Sequence, residues 1–295
     1  MNSRQIEYAI LLSQHLNFSQ VADELGISQP SLSKQIISLE NELGVKLFDR
    51  NHSPLTLTPA GEYFVKNAQE LLYKESEILK ALSKFQSGEN GSLVIGVTPF
   101  RSLYLMPEII KKIKAKFPGV RVTLHEATSA QLRKEASEGK FDFAIVNLPV
   151  DESILNVKKL EPDTLVLAVE SSMAKALNIE NKDYVDFKQF ASIPFVVLSP
   201  AQELRQLFDK LCTNANIDPD ISAEVVGVTT AWALAKAGVG AALLPLQFIQ
   251  NQFIDKDLTL YKIKNNLGTR QPAIVRRKDQ YLSDYAKYAI KLLTE

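Results

Sequence analysis

Cysteine is nearly missing from this chain: Cys212 is the single thiol in 295 residues, which excludes an internal disulfide framework and fits a reducing compartment. Histidine is almost as scarce. His15, His52 and His125 are scattered over separate segments, with no spacing suited to a metal site. Net charge is absent too, since 34 basic residues balance 34 acidic ones and no global field announces a polyanionic partner. No apolar run approaches the roughly 20 residues that a membrane span needs. Near the start, Ile10-Leu11-Leu12 is too short for the core of a signal peptide. A cytoplasmic protein without a membrane partner is expected.

Catalytic constellations are also lacking. There is no phosphate loop, and Gly238-Val239-Gly240 has Leu243 where a dinucleotide fingerprint would carry its third glycine. That element moreover runs from helix to strand, the wrong order. Asp218 and Asp220 flank Pro219 and read as turn residues. With no nucleophile, acid–base pair or metal cluster, neither an enzyme nor a cofactor is expected.

What the chain does have begins about twenty residues in. Ser19 to Glu40 reads as two short helices joined by a tight turn, with Ala22, Leu25, Ile27, Leu32, Ile36 and Leu39 spaced to share one small core. Gly26 sits where the chain must turn, Ser28 stands as an N-cap, and Pro30 falls in the first turn. Burying Leu32, Ile36 and Leu39 leaves Pro30, Ser33, Lys34, Ile37, Ser38 and Asn41 on the opposite face. Gln29 and Ser31 lie in the first turn, the part of a recognition helix that meets base edges. Gln pairs bidentately with adenine, Ser serves either partner, and Lys34 reaches guanine or phosphate. The plain alternative is a helical hairpin with a solvated polar face.

Gly44 to Thr58 reads as two short strands around a polar tip, a wing whose Arg50 and His52 would lie along the DNA backbone or minor groove. The run from Phe18 to Gly61 resembles the N-terminal domain of LysR-type transcriptional regulators. The residues that carry the resemblance are Ser28-Gln29-Pro30, Leu39-Glu40, Leu43-Gly44-Val45, Leu47-Phe48-Asp49-Arg50 and Leu57-Thr58-Pro59-Ala60-Gly61. Val21 and Asn17 depart from the family's usual Ala and Ser, away from the DNA face. The resemblance implies contacts to double-stranded DNA through Ser19, Gln29, Ser31, Ser33, Lys34, Arg50 and His52. Charge argues the other way, because residues 1–58 carry four basic against six acidic side chains, a net of −2. Phosphate contacts dominate affinity, so modest single-site binding and dependence on oligomerisation are expected.

In residues 59–85, Phe64, Ala68, Leu71, Ile78, Leu82 and Phe85 form a heptad seam that Glu75 interrupts. Either this helix packs on its own domain or it pairs with a second copy. The resemblance implies pairing: a dimer through this linker helix and a tetramer through the C-terminal domains, with RNA polymerase as a further partner at a pseudo-palindromic promoter. Gln86 to Gly91 reads as a hinge.

From Ser92 onward strands and helices alternate, which argues an α/β domain with mostly parallel sheets. Strands are expected at Leu93–Val97, Val120–His125, Phe141–Val146, Leu165–Val169, Phe195–Leu198, Ala223–Val226, Ala241–Leu244 and Ala273–Arg276. Helices are expected at Leu103–Phe117, Gln131–Gly139, Gln202–Ala215, Thr230–Ala237 and Ser283–Leu293. The resemblance adds a periplasmic-binding-protein-like arrangement of type 2. One lobe takes residues 92–162 and 268–295, the other 163–267, with crossings near Leu160–Thr164 and Asn265–Thr269. A small effector would bind between them. Candidate contacts past the strand ends are Thr98, Phe100, Arg101, Ser102, Ser129 and Asn147 in the first lobe, and Ser199, Gln202, Thr229 and Thr230 in the second. Each of these polar residues could equally be an N-cap. Arg101 and Arg205 point to a carboxylate or other anion, because guanidinium pairs bidentately with such groups, or else to ordinary surface ion pairs. The alternative for the whole chain is a two-lobed solute-binding or transferase protein with an incidental N-terminal helical domain.

Overall fold

Polar caps decide where the first three helices begin. In a computed structural model describing residues 1–50, 54–82, 91–179, 184–252, 257–264 and 270–294, α1 (Ser3–His15) starts at Asn2. The Asn2 side chain accepts from the Gln5 N–H while Gln5 reciprocates, satisfying two donors that the helix leaves open. Asn17 caps α2 (Phe18–Leu25) and Ser28 caps α3 (Gln29–Leu43). Gly26 (φ 66°) and Gly44 (φ 71°) end these two helices in the left-handed region. Ala22, Leu32, Ile36 and Leu39 are buried with Ala9, Leu12, Val21, Leu47 and Phe48. Leu25 and Ile27 pack against that cluster half-buried.

The wing follows as β1 (Phe48–Asp49) and β2 (Thr56–Leu57), antiparallel with Phe48 opposite Leu57. Its tip, including His52, lies outside the described residues. Next comes α4 (Pro59–Leu82), a single helix of 24 residues. Thr58 Oγ1 accepts from the Gly61 N–H at 3.0 Å and donates to the Lys46 carbonyl at 2.6 Å, tying the helix start to the wing. A Cβ on Gly61 would collide with the Leu47 carbonyl oxygen, so only glycine admits this approach. The seam divides along its length. Phe64 and Ala68 are covered by the helix's own domain, whereas Leu71, Ile78 and Leu82 are exposed at 48%, 59% and 54%. Phe85 and the expected hinge residues 86–90 lie outside the described residues. The chain divides into two units, Met1–Gln86 and Ser87–Glu295.

The second unit runs β3 (Ser92–Val97), α5 (Pro99–Lys116), β4 (Arg121–Glu126), α6 (Ser129–Ser137), β5 (Phe143–Asn147) and β6 (Leu155–Lys159). It continues with β7 (Leu165–Glu170), α7 (Ser171–Ala176), β8 (Phe195–Leu198), α8 (Glu203–Ala215), β9 (Ile221–Val225), α9 (Val228–Lys236) and β10 (Ala241–Pro245). Last come α10 (Leu246–Gln252), β11 (Leu258–Lys262), β12 (Pro272–Arg277) and α11 (Asp284–Leu292). Two sheets form, β4-β3-β5-β12-β6 and β11-β7-β10-β8-β9, each with its own buried cluster.

The mostly parallel expectation needs correcting. β3 pairs in parallel with β4 and β5, and β8 with β9 and β10, but β12 and β7 pair antiparallel with both of their neighbours. β7 and β12 are the strands by which the chain enters one lobe from the other, so no crossover helix enforces parallel entry. The short strands β6 and β11 and the helices α7 and α10 were not foreseen. α5 starts four residues before the expected Leu103, because Pro99 occupies a first-turn position where its missing N–H costs nothing. Between the lobes the two connecting segments touch: Asp163 and Arg270 form an antiparallel bridge, with the Asp163 N–H donating to the Arg270 carbonyl at 2.9 Å. The rest of the second crossing, 265–269, lies outside the described residues.

Candidate functional site

With Leu32, Ile36 and Leu39 turned inward, Lys34, Ile37, Ser38 and Asn41 stand exposed on the outer face of α3, and Gln29 and Ser31 are exposed in its first turn. Ser19 is exposed at the start of α2, where its N–H donates to the Asn17 cap at 3.0 Å. Ser33 is half-buried and is drawn aside by Arg50, which donates to its Oγ at 3.3 Å. Arg50 has further partners within its own unit. Its guanidinium also lies 3.4 Å from the Glu40 carboxylate and 5.2 Å from the centre of the Phe18 ring. Glu40 is buried at 1% exposure and accepts from the N–H groups of Leu47 (2.9 Å) and Phe48 (3.2 Å) and from Lys46 Nζ (3.2 Å). Arg50 therefore braces wing, α2 and α3 against one another while remaining exposed.

The second unit encloses a cavity of about 350 Å³, lined by the first turns of α5, α6, α8 and α9. Such helix ends present N–H groups and positive partial charge to whatever enters. Thr128 caps α6 through its hydroxyl, but Thr98, Gln202 and Gly227 give α5, α8 and α9 no side-chain cap. Of the expected contacts, Thr98, Phe100, Ser129, Asn147, Gln202 and Thr229 line the cavity. Ser102, Ser199 and Thr230 do not.

Neither expected arginine lines it. Arg205 is directed outward, bonded to Asp209 (2.8 Å), Glu224 (2.9 Å) and the Leu198 carbonyl (3.1 Å). The reason is helical phase: α8 turns Glu203 to the cavity, and two residues further on the side chain has rotated by about 200°. Arg101 is 1% exposed beneath the cavity, donating to Asn147 Oδ1 and Asp163 Oδ2, both at 2.6 Å.

The arginine that does line the cavity is Arg270, with Glu203 beside it. Arg270 lies 2.8 Å from Asp163, so one carboxylate serves both Arg101 and Arg270, and both guanidinium groups flank the Phe100 ring at 5.0 and 5.1 Å. Burial pulls the Arg270 guanidinium down to about 10, a shift that Asp163 opposes. Burial pushes Tyr104, next to this cluster, upward. Glu203 accepts from Arg133 Nη1 at 2.8 Å and from Asn147 Nδ2. Burial pushes its carboxyl up, but these two hydrogen bonds and the charge of Arg133 outweigh that and leave it below the usual range. Three arginines (Arg101, Arg133 and Arg270) thus face two carboxylates (Asp163 and Glu203), a surplus of one positive charge. Thr98 Oγ1 and Arg270 Nε are buried without a hydrogen-bond partner. Arg270 Nη2, though ion-paired with Asp163, makes no hydrogen bond either; buried polar atoms normally have a partner, and three orphans on cavity-lining residues mark a place for a ligand. Among the described residues no cluster of His, Cys, Asp and Glu is suited to a metal, and no helix is long and apolar enough to cross a membrane.

A groove-reading helix pair on one unit and a ligand cleft between two α/β lobes on the other together define a ligand-responsive transcriptional regulator. Residues 3–62 match the bacterial regulatory helix-turn-helix protein, lysR family, and residues 86–295 match the LysR substrate binding domain. The chain belongs to the LysR family of transcriptional regulators. It is 33% identical to the DNA-binding transcriptional dual regulator OxyR of Escherichia coli K12, over 83% of this chain and 79% of that protein. The uncharacterized HTH-type transcriptional regulator YcgK of Bacillus subtilis is 28% identical, over all of this chain and 94% of YcgK. Full-length CbnR, solved in complex with its target DNA, shares the fold with a TM-score of 0.62, 19% identity and 99% coverage of both chains. The class is not enzymatic, and a solute-binding or transferase protein is not favoured.

Proposed function

We propose that this regulator answers to a small organic anion bound in the inter-lobe cavity, and that the anion changes how a promoter is bound and bent to activate or repress transcription. The observation that carries the reading is Arg270, a buried cation on the cavity wall with a hydrogen-bond donor unspent. The surplus positive charge and the uncapped first turns of α5, α8 and α9 support it. The anion can act only through unequal affinity for two arrangements of the lobes, and Arg270 belongs to the segment that joins them.

On the DNA side, Gln29 and Ser31 read base edges while Ser19, Lys34 and Arg50 hold the phosphate backbone of a pseudo-palindromic site. Exposure of Gln29 and Ser31 in the first turn of α3 and of Lys34 in the next supports this. The chain works in the cytoplasm as a dimer through residues 59–85 and as a tetramer through its C-terminal units, with RNA polymerase as the partner at the promoter. The exposed apolar side chains of α4 support the pairing. The peroxide response named in the Escherichia coli O157:H7 relative, a hydrogen peroxide-inducible genes activator, is not part of this reading. Cys212 has no second cysteine to bridge to, and burial raises its thiol to about 11, so it offers no thiolate at neutral pH.

Footprinting and gel shift on the DNA upstream of the protein's own gene, with and without short carboxylates, test the reading. The expected result is a footprint or bend that changes with the anion in wild type and not in Arg270→Gln. A footprint unmoved by any anion that binds refutes the coupling. Gln29→Ala should lower the ratio of specific to non-specific binding, while Lys34→Ala weakens both alike; equal losses would reverse these roles.

A further inference from the structure

The cavity offers two anion positions, and the protein itself fills one of them. Glu203, the first residue of α8, belongs to the lobe built on the β8–β9 side, yet its carboxylate reaches the other lobe. There it accepts from Arg133 Nη1 (2.8 Å) and from Asn147 Nδ2. Arg133 is held for this task, donating also to Ser129 Oγ (3.3 Å) and the Asn147 carbonyl (3.0 Å). The other position is built on Arg270 and Thr98, cavity-lining residues 8% and 6% exposed whose Nε and Oγ1 have no hydrogen-bond partner. Phe100, Leu198 and Val228 supply apolar wall.

We infer that Glu203 is a resident carboxylate that sets the charge of the ligand: the cleft takes a monoanion with an apolar body and rejects dianions. A monocarboxylate brings one charge to Arg270 and leaves the Glu203 contacts intact. A dicarboxylate brings a second charge to a place where Glu203 already holds Arg133 and Asn147. It must either sit against a like charge or expel Glu203, and both are costly. The inference rests on the anion-binding reading of the cleft and adds which anions enter.

The test is calorimetric titration of the full chain with chain-matched probes, butyrate against succinate and valerate against glutarate. Wild type is expected to bind the monocarboxylates more tightly. Glu203→Gln should shift the mono-to-dicarboxylate ratio by about ten-fold or more toward the dicarboxylates, the scale of one charge-assisted contact. Adding Arg133→Gln to that variant should cancel the gain, because the second carboxylate then has no cation to replace Glu203 on. Circular dichroism and the unfolding midpoint establish that each variant is folded, and Glu203→Ala repeats the measurement if the Gln variant is not. A ratio unmoved by Glu203→Gln, or a gain that survives Arg133→Gln, overturns the inference. Arg270→Gln separates the two readings. If it leaves monocarboxylate binding intact, or if no probe binds wild type or Glu203→Gln, the anion-binding cleft itself fails. If it abolishes binding while the Glu203 ratio stays put, only the charge-selection inference fails.

Discussion

Replacing Asp163 by Asn removes the one carboxylate shared by two buried guanidinium groups, 2.6 Å from Arg101 and 2.8 Å from Arg270. Both arginines are nearly fully buried, at 1% and 8% exposure, and they flank the same Phe100 ring. Breaking a buried pair while leaving the partner charged costs about 3–5 kcal/mol. For a domain of about 200 residues each kcal/mol moves the midpoint by about 2–4 °C, so a fall of roughly 6–20 °C is expected. The assay is thermal unfolding of the full chain followed by tryptophan fluorescence. Trp232, the single tryptophan, lies in α9, so the signal reports the C-terminal unit alone. A monocarboxylate that binds Arg270 should return part of the loss, because it restores a counter-charge. A midpoint within about 2 °C of wild type would refute the account of this cluster, since surface-like pairs cost no more than that.

Three other outcomes are expected. Glu40→Gln strips the carboxylate from a site that receives the Leu47 and Phe48 N–H groups, Lys46 and Arg50, and it should destabilise the N-terminal unit by about 3 kcal/mol and weaken DNA binding, measured by denaturant unfolding and gel shift. Cys212 should react with a thiol reagent at pH 8 about a hundred-fold more slowly in the folded chain than in the unfolded one, because its thiol moves from 9.0 to about 11 on burial. The sign follows: this group costs no stability below pH 9.0 and a growing amount between there and about 11, so reactivity rising steeply at pH 8 without unfolding would contradict it. Ile78→Glu with Leu82→Glu should leave folding intact, since both side chains are more than half exposed, and shift sedimentation toward the monomer; an unchanged sedimentation coefficient removes α4 from the dimer interface.

Local chemistry made much of the fold legible. Ser28, Pro30, Gly26 and Gly44 each act within a few residues of themselves, so the helix pair could be read directly. The alternation after Ser92 likewise exposed an α/β domain, its division into lobes coming from the family resemblance alone, while β6 and β11 escaped because they are only partly buried and lack the continuous apolar run of β5 or β10. At the site, hydroxyl and amide residues at helix starts were visible for the same local reason, and Thr98, Ser129, Gln202 and Thr229 do line the cavity. The charged residues were not. Arg270 gains its meaning from Asp163, Glu203 from Arg133, and Arg50 from Glu40, partners that only the folded chain brings together. Arg205 looked equivalent to them in sequence because only the folded chain decides which phase of α8 faces the cavity, and it is Glu203 that does.

The collision that bars any side chain at Gly61 has a mechanical consequence. Where a helix start is locked against a wing, it cannot swivel independently of that wing, and α3 is braced to the same wing through Glu40 and Arg50. The 24 residues of α4 then act as a rigid arm of about 36 Å, close to the distance between successive major-groove faces of DNA. A tilt of about 10° at the locked end sweeps the far end through roughly 6 Å over that length. Run in reverse, a few ångströms of movement at Leu82 become an angular correction at the wing, with no side chain of α3 having to repack.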